Sequence, residues 1–157
     1  MGMDVYGRSG NYFRNNCWWW RPLWNYVSNE CKEVISQEDY DSGNYNDGHR
    51  VDYEKCEFIV EKLQKLVDDG SVKEYEKSYK KHLEELPLED CEYCEGSGVR
   101  QWEGEDRNCN VCNTEHTRKE GIPIGKKKSF ETSYPFSEEN VIEFIEFVKE
   151  SEGFEIC

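Results

Sequence analysis

At 157 residues the chain holds one modest domain, or a core carrying a small insert; two full domains do not fit. With 20 Lys and Arg against 34 Asp and Glu the formal charge is -14, which argues against direct DNA binding and against adhesion to an anionic membrane, so phosphate has to be met by a local basic cluster. No run reaches the roughly 18 apolar residues of a spanning helix, and MGMDVYGRSG lacks the basic-then-apolar order of a secretory signal, so a soluble, unexported protein is expected.

Aliphatic residues are scarce and Ala is absent, but 5 Trp, 10 Tyr and 7 Phe offer large buried area per side chain, which predicts an aromatic core. Charge is unevenly placed. Residues 1–27 carry Arg8, Arg14 and Arg21 against Asp4 alone, a net of +2, whereas residues 28–90 hold 18 acids and 9 bases.

In chain order, MDVYG is a short β-compatible piece. Pro22 fixes φ near -65° and disfavours a helical Arg21, so the first helix is predicted to begin at Pro22 and to run to about Ile35, with the WWW run preceding it. SQEDYDSGNYNDGHR, residues 36–50, reads as a long polar loop. Cys56, Ile59, Val60, Leu63, Leu66 and Val67 recur at helical spacing between an Asp52 N-cap and Gly70, the most secure element. Ser71 with Glu74 forms a capping box for a further helix, stopped by Pro87, with Val72, Tyr75, Tyr79, Leu83 and Leu86 on one face.

Cys91, Cys94, Cys109 and Cys112 then form C-x2-C, fourteen intervening residues, and C-x2-C. This spacing lets two tight turns each deliver two sulfurs to one ion, which predicts tetrahedral zinc; disulfides and an iron–sulfur cluster are the competing readings. Four thiolates leave no open position for water, so the zinc is expected to be structural. Gly96 and Gly98 sit where the backbone curls over the metal with positive φ. The knuckle Cys91 to Gly98 resembles one repeat of the DnaJ-type cysteine-rich zinc module; CNVCN lacks its glycines, and no chaperone function is carried over. Cys17, Cys31, Cys56 and Cys157 show no ligand spacing and read as buried free thiols. Beyond the cysteines, Lys126, Lys127 and Lys128 read as a solvated loop or as part of a ligand site. A final helix starts at Ser137 with Val141, Phe144, Ile145 and Val148 inward, and the closing FEIC is expected to pair with MDVYG.

The fold class expected is α+β: a small single domain, mainly helical with short terminal strands, carrying a four-cysteine zinc insert. Residues 1–87 form the first part of the aromatic-rich core, 88–121 the insert and 122–157 the rest of the core.

The stretch Tyr12 to Tyr26 has seven aromatics and two arginines in fifteen residues. Three consecutive indoles cannot all face one core, since in a helix they fan across about 200° at 3.6 residues per turn. Indole faces stack on flat rings, guanidiniums pair with phosphate, and amides read a polar edge. Arg14, Asn15, Asn16, Trp18, Trp19, Trp20 and Arg21, with Tyr134, are therefore the candidate ligand-binding residues, against the bland reading in which the rings fill the core and the arginines pair with acids. No nucleophile elbow, phosphate loop or H-E-x-x-H helix is present, so no catalytic residues are assigned.

Taken whole, M-D-V-Y-G (Met3 to Gly7), Y-F-R-N-N and W-W-W-R-P-L (Tyr12 to Leu23), N-D-G (Asn46 to Gly48), S-Y-P-F-S-x-E-N-V and the ending G-F-x-I-C resemble a family of small tailed-bacteriophage proteins. The resemblance implies a setting in the cytoplasm of an infected bacterium. With it the expected function is a non-enzymatic binding protein that sequesters a small nucleotide-like host signal, a counter-defence role, as a homo-oligomer. The alternative is an acidic inhibitor or nucleic-acid mimic acting on a host protein, and a nucleotide hydrolase with a dispersed site is a third reading.

Overall fold

A computed structural model describes residues 2–157 and shows a mixed α+β fold. The chain divides into two compact units, residues 2–81 together with Tyr134–Cys157, and His82–Ser133. Among the described residues no helix is long and apolar enough to cross a membrane.

The larger unit opens with β1 (Gly2–Gly7) and β2 (Tyr12–Asn16), an antiparallel pair in which Asp4 lies opposite Arg14 and Val5 opposite Phe13. β8 (Phe154–Ile156) pairs with the other edge of β1, so the two ends of the chain meet as expected from MDVYG and FEIC. β3 (His49–Val51) then pairs with β8 and completes the order β2-β1-β8-β3. Alternation places Met3, Val5, Val51, Phe154 and Ile156 in the core.

α1 spans Cys17–Glu30, five residues earlier than Pro22 suggests. The Asn16 side chain accepts from the N–H groups of Trp18 and Trp19 and starts the helix there, so Pro22 lies inside it. This capping offsets the preference of Arg21 for an extended backbone. Of the expected loop 36–50, much is ordered: α2 (Gln37–Ser42) forms behind a capping box in which Ser36 and Asp39 bond each other's backbone, and β3 follows. The S-x-x-D pattern is a capping-box signal that the polarity of the stretch conceals.

α3 (Tyr53–Asp68) starts at its Asp52 N-cap and buries Cys56, Ile59 and Leu63. α4 (Ser71–Glu85) buries Val72, while the Tyr75 and Tyr79 rings gather around Phe136 at centroid distances of 4.8 and 5.9 Å. α6, numbered after the elements of the smaller unit, spans Glu138–Ser151 from its Ser137 cap and packs Val141, Phe144, Ile145 and Val148 inward. Trp20, Trp24, Phe144 and Ile59 are sealed at the centre, so the core is aromatic. Burying a side chain of this size contributes roughly 1.5–3 kcal/mol, and aromatic pairs add about 0.5–1.5 kcal/mol.

The smaller unit holds β4 (Glu89–Asp90), the hairpin β5 (Val99–Trp102) and β6 (Glu105–Asn108), α5 (Glu115–Lys119) and β7 (Lys126–Lys127). It encloses the predicted insert 88–121 and extends past it on both sides. β4 pairs with β7, and Lys126, Lys127 and Lys128 pair with Asp90, Glu92 and Glu120, so the lysine triplet is tied into this unit.

Candidate metal centre and aromatic surface

The four cysteines of the smaller unit are buried, and their sulfurs all lie within 4.8 Å of one another. Cys91 and Cys109 approach to 3.8 Å and Cys94 and Cys112 to 3.4 Å. A tetrahedron with metal–sulfur bonds of about 2.3 Å has edges of about 3.8 Å, so the quartet is compatible with one metal ion. Each knuckle is a turn: the Cys94 N–H donates to the Cys91 carbonyl, and the Asn113 N–H to that of Cys109. The Cys109 N–H donates to the Gly98 carbonyl at 2.8 Å and ties the knuckles together.

Gly98 shows why the first knuckle needs glycine. Its φ is +76°, and a Cβ there would lie 2.1 Å from the Ile124 side chain. Its N–H also donates to the Cys94 sulfur at 3.2 Å. Burial raises the Cys91 and Cys112 thiols, whereas at Cys109 the backbone N–H groups of Cys112 and Val111 and the neighbouring sulfurs outweigh burial and lower the thiol's pKa. Backbone donors aimed at sulfur favour the thiolate, the form that binds a metal. Besides the cysteines this unit buries little apolar surface, with Ile122 buried and Val111 packed on the cluster.

The expected ligand-binding residues separate into two groups. Trp18, Arg21 and Tyr134 converge at the surface: the Trp18 and Tyr134 rings lie 5.0 Å apart, Arg21 donates to the Tyr134 hydroxyl at 3.2 Å, and its guanidinium sits 5.9 Å from that ring's centre. Trp18 is 36% exposed. The other group is engaged in the fold. Trp20 is sealed in the core and donates its indole N–H to the Gly43 carbonyl at 2.8 Å, so it faces no surface ligand. Asn16 caps α1, Asn15 donates to Asn140 at 2.8 Å, and Arg14 pairs across the strands with Asp4 at 3.5 Å. Trp19 and Asn15 line a 210 Å³ hollow with Glu139 and Glu143, carboxylates that repel an anion. The three indoles thus spread around the helix from surface to core, as three successive positions must.

One charged cluster escapes sequence reasoning. Asp39 is buried, accepts two hydrogen bonds from the Lys55 ammonium at 2.7 and 2.9 Å, and stands 3.2 Å from Nε2 of His49. Burial alone would raise its pKa, but bonds from Lys55 and Ser36 outweigh that and bring it to about 2. Only its place in the Ser36 capping box hints at it in the sequence.

Comparison of the chain with protein-family models, curated proteins and solved structures finds no match.

Proposed function

We propose that the protein is a non-enzymatic binding protein, with a structural zinc in the His82–Ser133 unit and a recognition surface on α1 for a small, flat, phosphate-bearing guest. The observation that carries this reading is the convergence of Trp18, Arg21 and Tyr134, which offers two rings and a guanidinium within one contact patch. Zinc held by Cys91, Cys94, Cys109 and Cys112 takes no part in chemistry in this reading, because four thiolates complete its coordination. Given the likeness to tailed-phage proteins, the guest is a nucleotide-like host signal, sequestered in the bacterial cytoplasm as counter-defence. Trp18, partly open on the surface, also suits a homo-oligomer in which a second copy closes over the guest.

Calorimetry of the full chain with cyclic dinucleotides and ADP-ribose derivatives tests the reading. Saturable binding without turnover, weakened about tenfold or more in Arg21→Ala, supports it. Heat-silent titrations across that panel remove it, and chromatographic turnover of a bound nucleotide replaces it with an enzyme.

A second reading has its own observation. Glu54, Glu57, Glu61 and Asp68 are exposed along α3 at helical spacing, with Lys65 between the last two, a largely acidic stripe that suits a basic host protein or imitates a phosphate backbone. It predicts salt-sensitive capture of a basic host protein, indifferent to Arg21→Ala.

A further inference from the structure

Away from the Trp18 surface, a cleft of 590 Å³ opens beside the C-terminal half of α1, lined by Asn25, Ser28, Asn29, Lys32, Tyr40 and Tyr75 among others. Its volume falls in the range of about 300–1,000 Å³ typical of small-molecule sites. Its charge is unusual for this molecule: in a chain of formal charge -14, Lys32 is the one charged side chain among the described residues that line it, with the Glu33 carboxylate acting on Lys32 and that of Glu30 on Tyr75. Lys32 makes no salt bridge among the described residues.

The second observation is independent of charge. Ser28, which lines this cleft, is 8% exposed, and its hydroxyl is buried without a hydrogen-bond partner among the described residues. A buried hydroxyl left unpaired costs about 1–3 kcal/mol. Two nearby hydroxyls are committed elsewhere: that of Tyr40 donates to Asn25 at 2.6 Å, and that of Ser36 to Asp39 at 2.8 Å. Ile35 supplies a buried apolar wall, and Tyr75 is 38% exposed with its ring held 4.7 Å from that of Tyr26.

We infer that this cleft binds a small planar organic anion, a phosphate monoester or carboxylate. Its anionic group meets Lys32, its polar edge meets Ser28 and Asn29, and its ring lies against Tyr75. A hydroxyl rotates to donate or accept as the guest requires. The site is distinct from the Trp18–Arg21–Tyr134 surface and stands whether or not that surface binds a nucleotide.

The test is an amide chemical-shift titration of the full metal-loaded chain with phenyl phosphate, benzoate and inorganic phosphate as separate probes. Phenyl phosphate or benzoate should give saturable shifts confined to residues 25–40 and to Tyr75. Lys32→Glu should weaken that binding about tenfold or more and Ser28→Ala about threefold, with Arg21→Ala without effect. Shifts that instead map to Trp18 and Tyr134 would overturn this inference while favouring the other surface. Inorganic phosphate binding as tightly as phenyl phosphate reduces the site to a point charge and overturns it too, as does a Lys32→Glu variant of unchanged affinity and melting temperature.

Discussion

The indole of Trp20 stacks on that of Trp24 at 5.5 Å and 10°, and both rings donate their N–H groups to the backbone of α2 and its C-cap, Trp20 to Gly43 and Trp24 to Tyr40. This relationship gives the polar segment after α1 its shape. Six residues of helix are too few to persist on propensity alone. Two buried indole donors, each needing an acceptor, fix where its last carbonyls lie.

Gly43 is where that arrangement tolerates least. A Cβ there would lie 2.4 Å from the Trp24 ring, which is itself fully buried and has nowhere to move. Gly43→Ala should cost about 1–3 kcal/mol, the usual range for forcing volume into a packed core. Urea unfolding followed by tryptophan fluorescence measures it, and an unchanged midpoint would show that the indole pair is not held by this close approach.

Asp39 should make stability depend on acid. Its folded pKa of about 2 lies below the ordinary aspartate value near 3.8, so the stabilisation is fully present above about pH 4 and is lost as pH falls through 2. A difference near two units corresponds to about 2 kcal/mol. Unfolding free energies between pH 2 and 6 should show this slope in the native chain, and a flatter one in Asp39→Asn. Equal slopes would mean that the Lys55 pair forms in the unfolded chain as well.

Much of this was legible in the sequence, and the failures have physical causes. Helices α3 and α6 carry both a cap and a period, so their residues announce them: Asp52 and Ser137 start them, and Ile59, Leu63, Phe144 and Val148 line their buried faces. The cysteine quartet was legible because ligand spacing is local. The start of α1 was not, because Pro22 signals a boundary that the cap on Asn16 overrides. Nor was the fate of the indoles, since periodicity says that they diverge but not which ring meets Gly43 and which meets Tyr134. The cleft at Ser28 joins the continuous stretch 25–40, from α1 into α2, to Tyr75 on α4, and no motif encodes that meeting.

Removing the metal should loosen one unit and spare the other. The His82–Ser133 unit buries its four cysteines with little aliphatic support, whereas the larger unit has an extensive core of its own. Chelation, or Cys94→Ser, should therefore collapse the amide dispersion of residues 82–133 while Trp20, Trp24 and Phe144 keep their native contacts. X-ray fluorescence on the untreated protein should find zinc at one ion per chain; iron in its place would assign the quartet to a cluster. Retained dispersion after complete chelation would show that hydrogen bonds such as Cys109 N–H to Gly98 suffice without a metal.

Thiol reactivity sorts the eight cysteines independently of any ligand assay. Burial pushes Cys31 up to about 12 and Cys56 up to about 11, so neither presents a thiolate near neutral pH. Cys17 and Cys157 are partly exposed, and Cys157 is also held above its usual range by burial and by the neighbouring Glu155 carboxylate. Iodoacetamide at pH 8 should therefore modify Cys17 first and Cys157 more slowly, leaving Cys31 and Cys56 untouched in the native fold. With metal bound, the four clustered cysteines should be protected, and chelation should expose them as a group while Cys31 stays unreactive. Peptide mass mapping reads all eight sites at once. Labelling of Cys31 at the rate of Cys17 would mean that the α1 end of the core opens readily, in conflict with the tight packing around Val27 and Ile35.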